Sequence, residues 1–334
     1  EEWRKGWHPE KMNEKRSDAS VLVVGAGPAG LEATRALGLR GYRVTLADAG
    51  KELGGRLPRE AALPGMSEYI RVRDYRAQQF HKLVNVGVYL ESPLSAKDII
   101  EFGADHVALA TGAAWRQDRF NGETYLSIVT EGCNPEILTP DDIMDGRLPI
   151  GPTLVYDEDN YYMGGVIAEK LKTAGIDVTF CTSSEVVSEW AGKTSERWRI
   201  RSHIMKLGIK MELAQALTAF DGKTATLICQ FTGKKKQIPM HSVVMVTQRA
   251  PRDELYHNIL ALVDGEPDKL PFTLTCIGDC EAPAIIAAAT YAGHRYARQL
   301  EEDIDLDQPL IHDRVDVGAV ALEPELDMRS ARRQ

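Results

Sequence analysis

Residues 20–48 read SVLVVGAGPAGLEATRALGLRGYRVTLAD, and this stretch decides the fold. An apolar strand leads into Gly25-x-Gly27-x-x-Gly30, an amphipathic helix follows, and a second apolar strand ends at Asp48. Gly25 permits the sharp strand-to-helix turn, Gly27 leaves room for a pyrophosphate, and Gly30 lets the helix pack close to the sheet. The Asp48 carboxylate is placed to accept hydrogen bonds from ribose hydroxyls. Strand, turn, helix, strand and acid in this order predict a site for ADP or an adenine dinucleotide.

The composition limits the other partners that this chain can have. Its 334 residues predict two domains, and 40 basic against 49 acidic residues give a net charge of −9, which argues against nucleic acid. No apolar run approaches the roughly 20 residues that span a bilayer, and the charged N-terminus is not a signal peptide, so no membrane is expected. Five scattered cysteines are typical of reduced thiols, so we expect a cytoplasmic protein, and no metal-ligand spacing occurs.

A second strand–helix–strand unit begins at Thr153, with TLVYD, a turn, a helix over 164–174 and then DVTFCTSS. Its last strand, in VVMVTQRAP, resembles HVALATGAA at the end of the first unit. The fold class predicted is α/β, with two Rossmann-like units built on central parallel sheets. The predicted domains are an N-terminal docking arm at 1–17, a nucleotide-binding domain at 18–150 and 265–334, and a second dinucleotide-binding-like domain at 151–264.

Three further motifs extend the nucleotide site. Arg56, in the KELGGRL loop, is placed to meet a phosphate or a flavin, although a surface turn would look the same. The strand that ends in ATG at 110–112 is expected to run under the nucleotide. Asp279 precedes a helix, and it could cap that helix instead of contributing to the nucleotide site. No residue is a convincing acid, base or nucleophile. The candidate cofactor-binding residues are Gly25, Ala26, Gly27, Pro28, Ala29, Gly30, Asp48, Ala49, Gly55, Arg56, Leu57, Ala110, Thr111, Gly112, Trp115, Gly278 and Asp279.

The second unit departs from the glycine pattern. Asp157, Asp159 and Tyr162 stand where the three glycines are expected. The carboxylates of Asp157, Glu158 and Asp159 are expected to repel a pyrophosphate, and Tyr162 to fill the close helix–strand contact. We therefore expect no NAD(P) in this unit; the alternative is an unconventional mode of NAD binding.

Cys276 and Cys280 flank the Gly278-Asp279 turn. The chain has no Cys-x-x-Cys, which argues against a redox disulfide of the thioredoxin-reductase or lipoamide-dehydrogenase kind. The two cysteines are interpreted as small buried residues beside a ligand site.

From Ser20 to Glu302 these elements resemble the glutathione-reductase-like flavoproteins with two dinucleotide-binding domains. That resemblance implies FAD in the first unit and an inserted second unit for NAD(P)H. The segments GWHPEK, ALPG, ATGAAW, DEDNYYMGGVIAEKL and IGDCEAP further resemble the C-terminal portion of the trimethylamine, dimethylamine and histamine dehydrogenases. The family resemblance implies ADP in place of FAD, and amine oxidation by a TIM barrel with FMN and an iron–sulfur cluster that passes electrons to electron-transferring flavoprotein. Trp115, in ATGAAW, matches the ADP-holding members, and its indole is expected to occlude a flavin pocket.

The first functional hypothesis is a module that binds one adenine nucleotide, ADP or FAD, and lacks the FMN and iron–sulfur barrel that oxidises amines. The alternative is an autonomous FAD-dependent NAD(P)H oxidoreductase, which the second unit's Asp-rich turn opposes. A third hypothesis is an interaction scaffold, in which the arm around Trp3, Trp7 and His8 docks a barrel partner.

Overall fold

The structure is a computed structural model that describes residues 12–122, 125–130 and 135–302. Its strands in chain order are β1 Ser20–Val24, β2 Arg43–Ala47, β3 Val86–Tyr89, β4 His106–Leu109, β5 Ala113–Trp115, β6 Phe120–Asn121, β7 Leu126–Ser127, β8 Glu136–Leu138, β9 Thr153–Asp157, β10 Val178–Thr182, β11 Lys210–Glu212, β12 Gln215–Phe220, β13 Thr224–Cys229, β14 Lys235–Pro239, β15 Ser242–Val246, β16 Arg249–Pro251 and β17 Thr273–Cys276. Its α-helices are α1 Pro28–Arg40, α2 Leu57–Ala61, α3 Arg71–Phe80, α4 Ala96–Phe102, α5 Pro140–Met144, α6 Met163–Thr173, α7 Arg197–Lys206, α8 Glu254–Ala261 and α9 Ile286–Gln299. Short 3₁₀ helices lie at Ser67–Ile70, Glu189–Gly192, Pro267–Lys269 and Gly278–Cys280.

The first helix, α1, has clear start and stop signals. Pro28 occupies its first position, where the missing N–H would have no helical partner in any case. Gly41 ends the helix in the left-handed conformation, with φ 96°, and its N–H donates to the Gly38 carbonyl at 3.1 Å. These signals place the N-terminus of α1 directly after the Gly25–Gly27 turn.

The first sheet is wholly parallel, in the order β17-β4-β1-β2-β3. Both faces are covered, by α1 and α9 on one side and by α4 and α8 on the other. This burial explains why β1 is apolar from Val21 to Val24, because central parallel strands have no solvent face. Leu22 and Leu46 are completely buried, and burial of each such side chain stabilises the fold by about 1.5–3 kcal/mol.

The second sheet is also parallel, in the order β11-β10-β9-β15-β8. Its strands all lie in the sequence between β4 and β17 of the first sheet, so the second unit is inserted in the first and the predicted fold class is confirmed. A three-stranded antiparallel sheet, β12-β13-β14, adjoins it. Strand β8 precedes residue 151, so the second sheet includes a strand from outside the range predicted for the second domain.

The two chain segments that connect the units pair with each other. Strand β5 follows the first unit and β16 leaves the second, and they form an antiparallel ribbon. The register sets Trp115 opposite Arg249. This ribbon brings residues far apart in sequence to the junction between the units.

The predicted docking arm is described only from residue 12 onward. The Lys15 N–H donates to the Arg40 carbonyl at 2.8 Å, and the Arg40 guanidinium donates to the Asn13 and Glu14 carbonyls. This last part of the arm therefore lies against the end of α1. Trp3, Trp7 and His8 fall outside the described residues, as does the chain after residue 302. In the part of the chain that is described, no helix has the length and apolar character needed to cross a bilayer.

Candidate functional site

A cleft of about 700 Å³ opens at the carboxyl ends of the first sheet and extends to the second unit. Ligands of open α/β sheets bind at such strand ends, where the chain turns into a helix. The predicted site residues that line this cleft are Gly25, Gly27, Pro28, Ala29, Asp48, Ala49, Gly55, Arg56, Leu57, Ala110, Thr111, Gly112 and Asp279. The structure thus brings together residues from five separate stretches of the chain.

The three fingerprint glycines have different surroundings. A Cβ on Gly25 would lie 2.3 Å from the Ala110 carbonyl oxygen, and a Cβ on Gly30 would lie 1.9 Å from the Gly25 oxygen. Both positions therefore require glycine for close packing of the turn. A Cβ on Gly27 would meet nothing within 4 Å beyond its chain neighbours, so the backbone at the start of α1 is open. Such an opening at a helix N-terminus suits an anionic phosphate.

Asp48 organises the loop on which the cleft is built. Its Oδ2 accepts the Ala26 N–H at 2.5 Å, and its Oδ1 accepts the Gly50 N–H at 2.6 Å. A carboxylate has about four acceptor positions, so two remain for other donors such as ribose hydroxyls. Asp48 therefore has a structural role that the sequence did not reveal, and its role toward a ribose stays a prediction.

Arg56 lines the cleft and is held by acids of the chain. Its guanidinium lies 2.7 Å from a Glu60 carboxylate oxygen and 3.2 Å from Asp141 Oδ1. Arg59 shares the same Asp141 oxygen at 3.0 Å. Arg59 also pairs with Asp145 at 2.5 Å, so three carboxylates surround the two guanidinium groups. An anion in the cleft would have to compete with these carboxylates for Arg56 and Arg59, which both line it.

Asp279 is already paired with a cation. Its Oδ2 accepts from Arg249 Nη1 at 2.7 Å, and its Oδ1 accepts the Ala284 N–H at 3.0 Å. The alternative interpretation of Asp279 as the cap of the following helix is wrong, because α9 begins at Ile286 and Ile285 is its N-cap. Asp279 instead holds the loop before α9 and anchors Arg249 in the cleft.

Four predicted residues do not line the cleft. Ala26, Gly30 and Gly278 lie beneath its wall; a Cβ on Gly278 would lie 2.5 Å from the Ala29 Cβ. Trp115 is 4% exposed and packs in the core of the second unit, with the Arg249 guanidinium 5.7 Å from its ring centroid. The indole was expected to occlude a flavin pocket, but it lies outside the cleft.

Several lining residues were missed by the sequence analysis. They include the stretch 92–94 and the residues Glu60, Tyr162, Arg249, Arg252 and Leu255. Residues 92–94 follow the carboxyl end of β3, the same edge that carries Asp48, so strand order was a usable signal for them. The sequence signal for Arg249 was the similarity of its segment, TQRAP, to TGAAW. These two segments pair with each other and form the antiparallel ribbon.

The turn of the second unit is obstructed at Asp157, but the cause differs from the charge repulsion that we expected. Asp157 is completely buried, and a Cβ on Gly164 would lie 2.5 Å from the Asp157 Cγ, so the carboxyl group packs into the first turn of α6. Burial raises the pKa of Asp157 well above its usual range, and the nearby Asp159 charge raises it further. Glu158 accepts hydrogen bonds from the Tyr156 hydroxyl at 2.5 Å and the Gly122 N–H at 2.7 Å. The expected charge repulsion at Asp157 is therefore replaced by a steric obstacle.

Tyr162 packs against the hydrophobic cluster that contains Val155 and Val166 of its own unit, and it also contacts the first unit, which was not expected. Its hydroxyl donates to Glu60 at 3.2 Å, and its ring centroid lies 5.6 Å from that of Tyr69, both in the first unit. Asp159 is also close to charges of the first unit. Burial, opposed by the positive charge of Arg249, raises the pKa of Asp159 to about 6. The predicted turn of the second unit thus contributes to the junction between the units.

Comparison with known proteins gives a consistent result. The model of the NAD(P)-binding Rossmann-like domain family matches residues 23–88. Dimethylamine dehydrogenase from Hyphomicrobium sp. (strain x) is 35% identical over 328 residues, covering 90% of this chain and 44% of that protein.

Two solved structures are similar over nearly the whole chain. Histamine dehydrogenase from Rhizobium sp. 4-9 gives a TM-score of 0.87 at 46% identity, covering 92% of this chain and 48% of that one. The 6-hydroxypseudooxynicotine amine oxidase from Pseudomonas geniculata N1 gives 0.85 at 42% identity, covering 90% and 45%. The chain spans somewhat less than half the length of these relatives. The chain is therefore a homologue of a part of the dimethylamine and histamine dehydrogenases, and it carries a Rossmann-like domain.

Proposed function

We propose that the cleft binds one adenine nucleotide through its ADP portion, and that ADP is preferred over FAD. The observation that carries the proposal is the open backbone at Gly27, at the N-terminus of α1, with the Arg56 guanidinium on the same cleft. In this arrangement Asp48 receives the ribose hydroxyls, and the start of α1 and Arg56 receive the phosphates.

The preference for ADP is argued from the part of the cleft that the second unit supplies. There Arg249 is tied to Asp279, and the Tyr162 hydroxyl is tied to Glu60. A flavin ring would have to occupy the same region as these two pairs of side chains, which are fixed by the hydrogen bonds within each pair. FAD would bring two-electron redox chemistry to the site, whereas bound ADP brings none.

The relatives are about twice as long as this chain, so its role in an amine dehydrogenase is also proposed. By resemblance to the family, we propose that it works with a barrel domain that carries FMN and an iron–sulfur cluster. Amine oxidation takes place on that barrel, electrons leave to electron-transferring flavoprotein, and the nucleotide site described above has a structural role.

The experiment is a nucleotide analysis of the purified chain followed by calorimetric titration with ADP, FAD and NADH in separate runs. We expect a colourless protein that releases ADP on denaturation and, once emptied, binds ADP at one site. A bound chromophore with a flavin spectrum contradicts the preference for ADP. A flavin that NADH bleaches contradicts it too and supports the autonomous oxidoreductase.

A further inference from the structure

Four arginines line the nucleotide cleft, and three of them are paired with acids of the chain: Arg56, Arg59 and Arg249. The fourth is Arg252, which is exposed. Among the residues that the structure describes, no acid forms an ion pair with Arg252, and no acceptor receives a hydrogen bond from its guanidinium group. An anion in the cleft therefore competes with carboxylates for the first three arginines, but not for Arg252.

The backbone of Arg252 is fixed against the end of β4. Its N–H donates to the Gly112 carbonyl at 2.9 Å, and its carbonyl accepts a hydrogen bond from the Thr111 hydroxyl at 2.5 Å. It lies between β16, which ends at Pro251, and α8, which begins at Glu254. The base of this side chain is thus held in place, while its charged end has no partner in the described part of the chain.

The acids that follow Arg252 in the sequence do not neutralise it. The Asp253 carboxylate lies 3.3 Å from His257 Nε2, on the first turns of α8. Glu254 lies in the first turn of α8, where the helix dipole stabilises a negative charge, and it forms no ion pair with Arg252. The positive charge of Arg252 is therefore left for a ligand.

The end of β4 also supports the turn that leads into α1. A Cβ on Gly25 would lie 2.3 Å from the Ala110 carbonyl oxygen and 3.2 Å from the Thr111 nitrogen, so this turn packs directly against the residues that hold Arg252. Arg252 and the open backbone at Gly27 line the same cleft. The long side chain of Arg252 is thus anchored beside the place where the N-terminus of α1 suits an anion.

We propose that Arg252 pairs with the terminal phosphate of ADP, and that this pair gives the cleft its preference for ADP over FAD. The inference rests on the proposed nucleotide function, and it adds the residue that distinguishes between the two ligands.

The two ligands differ at the second phosphate from the adenosine. In ADP this phosphate is terminal, so it has three free oxygens and a charge of about −1.5 to −2 at neutral pH. In FAD the same phosphate is joined to the ribityl chain, which leaves it fewer free oxygens and less negative charge. A guanidinium group donates two parallel hydrogen bonds to a phosphate, and negative charge on the acceptor strengthens both. Arg252 therefore stabilises bound ADP more than bound FAD.

The test is calorimetric titration of the full chain, freed of nucleotide, with AMP, ADP and FAD in separate runs. Arg252→Gln removes the charge and keeps the backbone contacts to Thr111 and Gly112. We expect its dissociation constant for ADP to rise about tenfold, at the lower end of the range for a charge-assisted hydrogen bond because Arg252 is exposed. The constants for AMP, which ends one phosphate earlier, and for FAD should change by about twofold or less. Arg252→Lys keeps the charge but loses the planar fork, so its ADP affinity should lie between the two.

Arg43→Gln is the matched control. Arg43 is also an exposed arginine, but it begins β2, at the edge of the sheet opposite the cleft. Its substitution changes the net charge by the same amount, and solvent and salt screen a charge at that distance. The affinities for AMP, ADP and FAD should therefore equal those of the unmodified chain.

The outcomes separate this inference from the function on which it rests. An unchanged ADP affinity in Arg252→Gln overturns the inference and leaves the nucleotide site standing. An equal loss for AMP, ADP and FAD also overturns it, because Arg252 would then attract every anion alike. An unmodified chain that binds none of the three nucleotides overturns the proposed function, and the inference with it.

Discussion

A Gly27→Ala substitution should remove most of the nucleotide affinity while the fold remains intact. The backbone at Gly27 has φ −73° and ψ −178°, which alanine adopts without strain, and the added Cβ meets no packed atom. Alanine is a poorer N-cap than glycine, but it also reduces the entropy of the unfolded chain. These effects oppose each other, so the free energy of unfolding should change by less than about 1 kcal/mol.

The effect on binding is larger because the new methyl group would occupy the space proposed for the pyrophosphate. A phosphate oxygen held away from the helix N-terminus loses at least one charge-assisted hydrogen bond, worth about 1.5–3 kcal/mol. The dissociation constant for ADP should therefore rise about 10- to 100-fold.

Calorimetric titration of ADP into both proteins measures the affinity, and urea unfolding checks the stability. Gly87→Ala is a matched control, because it adds the same methyl group on edge strand β3, next to the exposed ring of Tyr89. Its ADP affinity should equal that of the unmodified chain. If Gly27→Ala also binds ADP with unchanged affinity, the helix N-terminus is not the phosphate site and the proposed pose is wrong.

Three further substitutions test the structure. Gly30→Ala places a Cβ 1.9 Å from the Gly25 oxygen, so urea unfolding should show a loss above about 3 kcal/mol; a stable, ADP-binding variant would contradict the packing. Burial opposes ionisation of Glu32, but hydrogen bonds from neighbouring side chains outweigh it and lower its pKa to about 2. Glu32 should thus add about 3 kcal/mol of stability above pH 4.5 that is lost as pH falls towards 2, and Glu32→Gln should remove this dependence in urea titrations across pH. Because the pKa of Asp159 is raised to about 6, its charged form costs stability above that pH. Asp159→Asn should stabilise by about 1–3 kcal/mol at pH 8 and not at pH 4, and thermal unfolding at both pH values checks the difference.

The first unit could be predicted well because its signals are local. The run SVLVV becomes β1, Pro28 and Gly41 bound α1, and Asp48 follows β2. Each of these features depends on neighbours a few residues away, so a single sequence is enough to predict them. The order of the two units, one inserted in the other, followed from the returning strand after residue 271.

The junction between the units could not be predicted in the same way. Tyr162 was assigned only to its own helix–strand contact, but it also contacts Glu60, about a hundred positions earlier in the chain. Trp115 was placed with the ligand because it follows the ATG turn, but its strand pairs with β16 and carries it into the second core. The pairing of distant segments depends on how two folded units pack against each other, and residue types alone do not predict that packing.

The sequence by itself determined that a nucleotide-type strand–turn–helix unit exists and where its turn lies, because glycine spacing and hydrophobic periodicity are properties of a short stretch. Only the tertiary structure decided what surrounds that turn. It pairs Asp279 with Arg249 across the units, and it buries Asp157, which raises the pKa of that carboxyl group well above its usual range. The physical reason is that charge pairing and acidity depend on burial and on partners, and both are created when distant parts of the chain pack together.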